Sequence, residues 1–124
     1  MTHTDDKIRL SLPARASYAR TVRMLAANLA AVLRMNIEEV EDVRMAAEEA
    51  FILACESNTD MLDLEFTLHD EVLSMEFSLG PDDITEVEAY QYADLILQAV
   101  SKTYTLTDKS LYLEMSIGGV DEFK

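Results

Sequence analysis

Apolar residues alternate with polar ones at the start of the chain. Ile8, Leu10 and Leu12 are separated by Arg9 and Ser11, a period of two that predicts a short half-buried strand. Pro13 stops it. From about Ala14 to Leu33 the period becomes helical. Tyr18, Val22, Leu25, Leu29 and Leu33 share one face, and Arg20, Arg23, Ala27, Ala31 and Arg34 share the other. Arg34, Met35 and Asn36 predict a tight break. Asn36 has Glu39 three residues on, the pattern of a reciprocal N-terminal cap. A second helix is expected to run to about Glu56. Its apolar face is Val40, Val43, Ala47, Ala50, Phe51 and Ala54, and Glu38, Glu39, Glu41 and Asp42 enrich its start, where carboxylates suit the helix dipole.

The second half returns to alternation. Ser57-Asn58-Thr59-Asp60 reads as a turn. Leu62, Leu64, Phe66 and Leu68 alternate with polar residues, as do Leu73, Met75, Phe77 and Leu79, with His69-Asp70-Glu71 as the hairpin turn between them. Gly80-Pro81-Asp82-Asp83 ends the pair. A third helix is expected from about Ile84 to Ser101. Tyr104 and Leu106 form a short strand, and Leu111, Leu113, Met115 and Ile117 the last one, before a frayed tail at Gly118-Gly119. The order β-α-α-β-β-α-β-β, with one polar face per strand, predicts an α/β (α+β) two-layer sandwich. Its sheet is expected to be mixed and mostly antiparallel, with the helices on one side.

Composition narrows the function. The chain has 124 residues, 49% hydrophobic and 27% charged. That suits one domain over 1–124, with 1–6 and 119–124 as frayed ends. No apolar run reaches the roughly 18–20 residues of a membrane span, and Met1 to Lys7 is polar and acidic, unlike a secretory leader. One cysteine and two histidines argue against a disulfide framework and a structural zinc site. A cytoplasmic protein without membrane contact is expected. The net charge is −14, which opposes direct nucleic-acid binding, since that rests on Lys and Arg neutralising phosphates. The charge is also unevenly placed. Residues 1–44 hold seven of the ten Lys and Arg, whereas residues 45–101 hold fourteen acids and no Lys or Arg. Such asymmetry suits a basic protein partner, or simply a solvated, soluble surface.

Two stretches bring a family into view. Ser17-Tyr18-Ala19-Arg20 opens the first helix, and residues 39–50, EVEDVRMAAEEA, run into the second. The chain resembles the anti-sigma-factor serine kinases of the RsbW/SpoIIAB type, members of the GHKL (Bergerat-fold) ATPases that include histidine-kinase catalytic domains. The resemblance covers nearly the whole chain as element order and about residues 8–55 as sequence. It implies a histidine-kinase-like ATPase fold with a shortened ATP lid. For Arg20 it implies contact with a sigma factor or an anti-sigma antagonist.

The family's catalytic motifs are altered. Its first motif pairs a glutamate base with a magnesium-binding asparagine four residues later. Glu49 matches the base, but Leu53 stands at the asparagine position, and a hard cation wants oxygen. The adenine-binding Asp-x-Gly becomes Ser78-Leu79-Gly80. The phosphate-binding Gly-x-Gly gives way to Tyr92-Ala93-Asp94-Leu95, which lacks glycine and carries a repelling carboxylate. The resemblance therefore implies a degenerate member with no cofactor and no metal. Glu49 is a relic of the base or a solvated glutamate. Leu53 fills the former pocket or is an exposed leucine.

Other candidates follow from chemistry. Arg20, with Arg23, Met24 and Ala27 on its face, forms a partner-binding surface or a solvated helix face. Cys55 is a small core-edge residue or a reactive thiol. His3 and His69 have no companions for metal binding or catalysis. Asp82, Asp83, Glu86 and Glu88 are expected to start the third helix rather than bind a cation. The reading is a regulatory protein-binding module resembling an anti-sigma factor. One alternative is an active ATP-dependent kinase that phosphorylates an antagonist. The other is a homodimeric adaptor in a signalling complex.

Overall fold

In a computed structural model, which describes residues 5–118, five strands and three helices follow in the expected order. They are β1 (Asp6–Pro13), α1 (Ala19–Val32), α2 (Ile37–Ala54), β2 (Met61–His69), β3 (Val72–Ser78), α3 (Tyr90–Val100), β4 (Thr103–Leu106) and β5 (Ser110–Ser116). The predicted frayed residues 1–4 and 119–124 lie outside the described residues. Asp6 already pairs with Leu68 as the first residue of β1, so the strand begins earlier than expected.

The sheet order is β1-β2-β3-β5-β4, and every neighbouring pair is antiparallel. This corrects the expected mixed sheet. β3 and β4 both run antiparallel to β5 and so point the same way. β5 inserts between them, so the α3 crossover never creates a parallel hydrogen-bonded pair. The period of two sets the register. Ile8, Phe66, Met75, Leu113 and Tyr104 form one row across the sheet, and Leu10, Leu64, Phe77, Leu111 and Leu106 another. The rows between them, such as Arg9, Glu65, Glu76, Tyr112 and Thr105, point to the opposite, open face. The helices cover the apolar face, giving an α+β two-layer arrangement. At the edges, β1 carries Lys7, Arg9 and Pro13, and β4 has four residues. Both features discourage pairing with other chains.

α2 packs against both α1 and α3 and reaches β3 and β5. It is accordingly the most buried helix, with Val43, Ala46, Ala47, Ala50, Phe51, Leu53 and Ala54 inside. Four alanines let neighbouring elements approach closely, and Phe51 belongs with Phe66 and Phe77 to one continuous core.

Local chemistry explains the helix ends. Asn36 Oδ1 accepts from the Glu39 N–H at 2.8 Å, and Glu39 Oε1 accepts from the Asn36 N–H at 2.8 Å, the reciprocal cap that the spacing predicts. α1 ends with Arg34 at φ 66°. The Met35 N–H bonds the Ala30 carbonyl and the Arg34 N–H bonds the Ala31 carbonyl, a left-handed termination with Met35 tucked into the core. The apolar stripe of α1 differs from the expected one. Val22 and Leu29 are buried, Leu25 and Leu33 are half-buried, and Tyr18 is exposed. Ala26 and Ala30 take the inner positions.

The third helix is shorter than predicted. Ile84–Glu86 forms a 3₁₀ turn, Val87 is extended at ψ 154°, and α3 starts only at Tyr90. Asp83 Oδ1 accepts from the Thr85 N–H at 2.9 Å and the Thr85 hydroxyl at 2.7 Å, a local turn that competes with helix. Asp82, Asp83, Glu86 and Glu88 therefore precede α3 instead of starting it. Gly118 is not loose either. Its N–H donates to Glu39 Oε2 at 2.6 Å, tying the end of β5 to the start of α2.

Candidate functional site

All three helices carry residues that the sequence singles out. On α1, Arg20 is exposed and has no ion-pair partner among the described residues. Met24, one turn on, is 58% exposed. Ala27 is half-buried and Ala31 exposed, so no bulky side chain crosses this part of the helix. Before the helix, the Arg15 guanidinium lies 6.0 Å from the Tyr18 ring centroid, near the limit of a cation–π contact.

Arg23 does not join Arg20 as a free cation. Its Nη1 donates to Glu48 Oε1 at 3.1 Å, with both side chains about two-thirds buried. This pair joins α1 to α2. Arg23 Nε is buried without a hydrogen-bond partner. The helical wheel places Arg23 beside Arg20 but says nothing of the neighbouring helix that captures it. The exposed candidate face of α1 thus reduces to Arg20, Met24 and the small residues Ala27 and Ala31.

On α2, Glu49 is half-buried. Burial, and then the Glu48 charge, raise its carboxyl above the ordinary glutamate value. Leu53 follows four residues later and is 1% exposed, which removes the reading of an exposed leucine. Its hydrocarbon belongs to the continuous core that also holds Ile84, Ala93 and Leu97.

Gly80 has a structural task. Its N–H donates to Ser57 Oγ at 2.8 Å, and Ser57 Oγ donates to the Ala54 carbonyl at 2.7 Å. The Asp82 N–H reaches the Ser57 carbonyl at 3.0 Å. A Cβ on Gly80 would sit 2.7 Å from the Asn58 carbonyl oxygen. The glycine thus lets the loop after β3 close on the end of α2. Ser57, fully buried, is a hub that the sequence marks only as one member of a turn cluster. Ser78, by contrast, is exposed at the end of β3 and pairs across to Ser110.

On α3, Ala93 is buried while Tyr92 and Leu95 are 65% and 68% exposed. Asp94 is fully engaged. It accepts from Tyr104 OH at 2.9 Å, Tyr90 OH at 3.3 Å and Gln98 Nε2 at 2.8 Å. Burial and then these contacts with Asp94 raise the Tyr104 phenol well above its usual value. The network links α3 to the edge strand β4.

Leu53 offers no oxygen, Asp94 is locked by two phenols, and the 370 Å³ cleft beside the Gly80 loop is lined by Asp82, Asp83 and Asp108. Its carboxylates would repel phosphate. A shallower hollow of 430 Å³ lies on the open sheet face, lined by Lys7, Glu65, His69, Glu76 and Glu114 among others, away from all the positions above. Among the described residues, no three His, Cys, Asp or Glu side chains are grouped to hold a metal. No described helix is long and apolar enough to cross a membrane. No protein-family model matches the chain, and no curated protein sequence matches it significantly.

Proposed function

We propose that this chain is a regulatory protein-binding module, a degenerate GHKL-like domain of the anti-sigma-factor type that no longer uses ATP. The observation that carries this reading is Arg20, a cation exposed on α1 beside exposed Met24, with no ion-pair partner among the described residues. An unpaired guanidinium next to an accessible apolar side chain is the type of anchor that protein interfaces use. Support for the fold assignment comes from the three helices on one sheet face and from the resemblance of residues 8–55. Support for lost nucleotide use comes from buried Leu53, engaged Asp94 and the acidic cleft beside Gly80. The partner is a sigma factor or its antagonist, bound without chemistry.

The test is titration of the purified protein with sigma factors and antagonist-type proteins from the same genome. One of them should bind saturably. Arg20→Glu should weaken that binding at least ~10-fold while leaving the unfolding midpoint in place. Unchanged binding by the folded variant would remove Arg20 from the site.

The raised carboxyl of Glu49 favours one competing reading, an active kinase in which Glu49 takes a proton from the acceptor hydroxyl. Thermal unfolding separates the two. A bound nucleotide at 100 times its dissociation constant stabilises by about 2.7 kcal/mol. No shift with millimolar Mg-ATP or Mg-ADP is expected. A shift of several degrees would make the kinase the leading reading.

A further inference from the structure

A second surface, independent of Arg20, lies on α3. This helix buries Ala93 and Leu97 but leaves Tyr92 and Leu95 about two-thirds exposed. At 100° per residue, positions 92, 95 and 99 fall within about 60° of one another. Tyr92, Leu95 and Ala99, all exposed, therefore line one outward stripe of α3, and exposed Glu88 lies in the turn just ahead of the helix. A phenol ring and a leucine side by side in water are the kind of accessible apolar group that marks a docking surface.

The charge ahead of the stripe, at the N-terminal end of α3, is of one sign, and Lys102 follows two residues past the other end. Residues 45–101 contain fourteen acids and no Lys or Arg. Glu86 and Glu88 are exposed ahead of the first turn and have no ion-pair partner among the described residues. Asp94 is taken by the tyrosines. α1, which packs on α2 as α3 does, carries Arg20, a cation with no ion-pair partner among the described residues. An anionic membrane would be repelled by the carboxylates, and a second copy of a chain with net charge −14 would set acid against acid.

We propose that the α3 stripe docks a basic amphipathic helix of a partner protein. Apolar side chains spaced i, i+3 or i+4 on that helix cover Tyr92 and Leu95, and its flanking Lys or Arg residues reach Glu86 and Glu88.

The test uses a labelled synthetic peptide of about 14 residues, Leu and Lys only, patterned as an amphipathic helix, read by fluorescence anisotropy at fixed ionic strength. The peptide should bind the native protein, and Leu95→Asp should weaken it at least ~10-fold. That substitution adds a negative charge, so mere attraction between peptide and acidic protein predicts equal or tighter binding. Equal or tighter binding overturns the proposal. Should Leu95→Asp lower the unfolding midpoint, Leu95→Gln takes its place, with weakening again expected. Arg20→Glu should not weaken the peptide, and a loss there would move the binding to α1 and overturn the assignment. A Leu/Glu peptide of the same pattern should not bind, and equal binding would overturn the charge requirement. Sedimentation that reveals a native dimer dissociated by Leu95→Asp would make the stripe a self-interface, also against the proposal.

Discussion

Cys55 and His69 show how surroundings decide what a residue does. Cys55 is half-buried at the end of α2. Burial, and then the Glu56 charge, push its thiol up to about 11, so little nucleophilic thiolate exists at neutral pH. Alkylation should be slow at about pH 7.5 and climb only near the shifted value, well above an ordinary thiol at about 8.5. A rate–pH profile with iodoacetamide checks this, and fast labelling at neutral pH would contradict it. His69 is exposed between Asp5 and Asp70. The hydrogen bond that its Nδ1 donates to Asp5, then the Asp5 and Asp70 charges, raise its imidazole above 6.5. A folded value above the unfolded one means that the stabilisation is complete below about pH 6.5 and fades as pH rises through the folded value. The unfolding midpoint of His69→Gln should therefore fall further below the native one at about pH 5.5 than at about pH 8.5. The effect is small because the pair is solvated. His3 lies outside the described residues, and the approach of Asp5 to His69 depends on β1 pairing with β2. No local pattern records that.

The elements are held together by a few backbone devices with measurable weight. Arg34 ends α1 at φ 66°, a conformation that costs a residue with a Cβ about 1 kcal/mol or more. Arg34→Gly should raise stability by about 0.5–1 kcal/mol, read by urea unfolding. A loss instead would mean that the Arg34 side chain has a structural role. Gly80 is the opposite case. Gly80→Ala forces a Cβ against the carbonyls of Ser57 and Asn58 and should destabilise by about 1–3 kcal/mol. Ser57→Ala leaves the Gly80 N–H without its acceptor and should lose a similar amount. Near-neutral results would mean that this loop relaxes freely. The cap of α2 was legible because Asn36 and Glu39 are three residues apart and the bonds are local. The start of α3 was not. The acids at 82–88 look like a helix N-terminus, but the Asp83 side chain bonds Thr85 and diverts the backbone into a short turn.

The molecule as a whole carries a charge of −14. Carboxylates even neighbour one another on the open sheet face, where Glu65 lies opposite Glu76. Self-repulsion of this size weakens the folded state and is screened by salt. The unfolding midpoint should rise as NaCl increases from about 10 mM to 300 mM. A fall would mean that the ion pairs Arg9–Glu65 and Arg23–Glu48 outweigh the repulsion. The sequence by itself determined the order of elements, the inward face of every strand and the reciprocal cap of α2. Each of those depends on residues two to four positions apart, where periodicity and side-chain reach act alone. Only the tertiary structure decided that the sheet is wholly antiparallel, because that required β5 to slot between β3 and β4. It also decided that Arg23 is bound to Glu48 while Arg20 has no ion-pair partner among the described residues, that Leu53 is core, and that Gly80 serves Ser57. These outcomes join residues far apart in the chain, and their energies depend on distances that exist only once the helices have packed on the sheet.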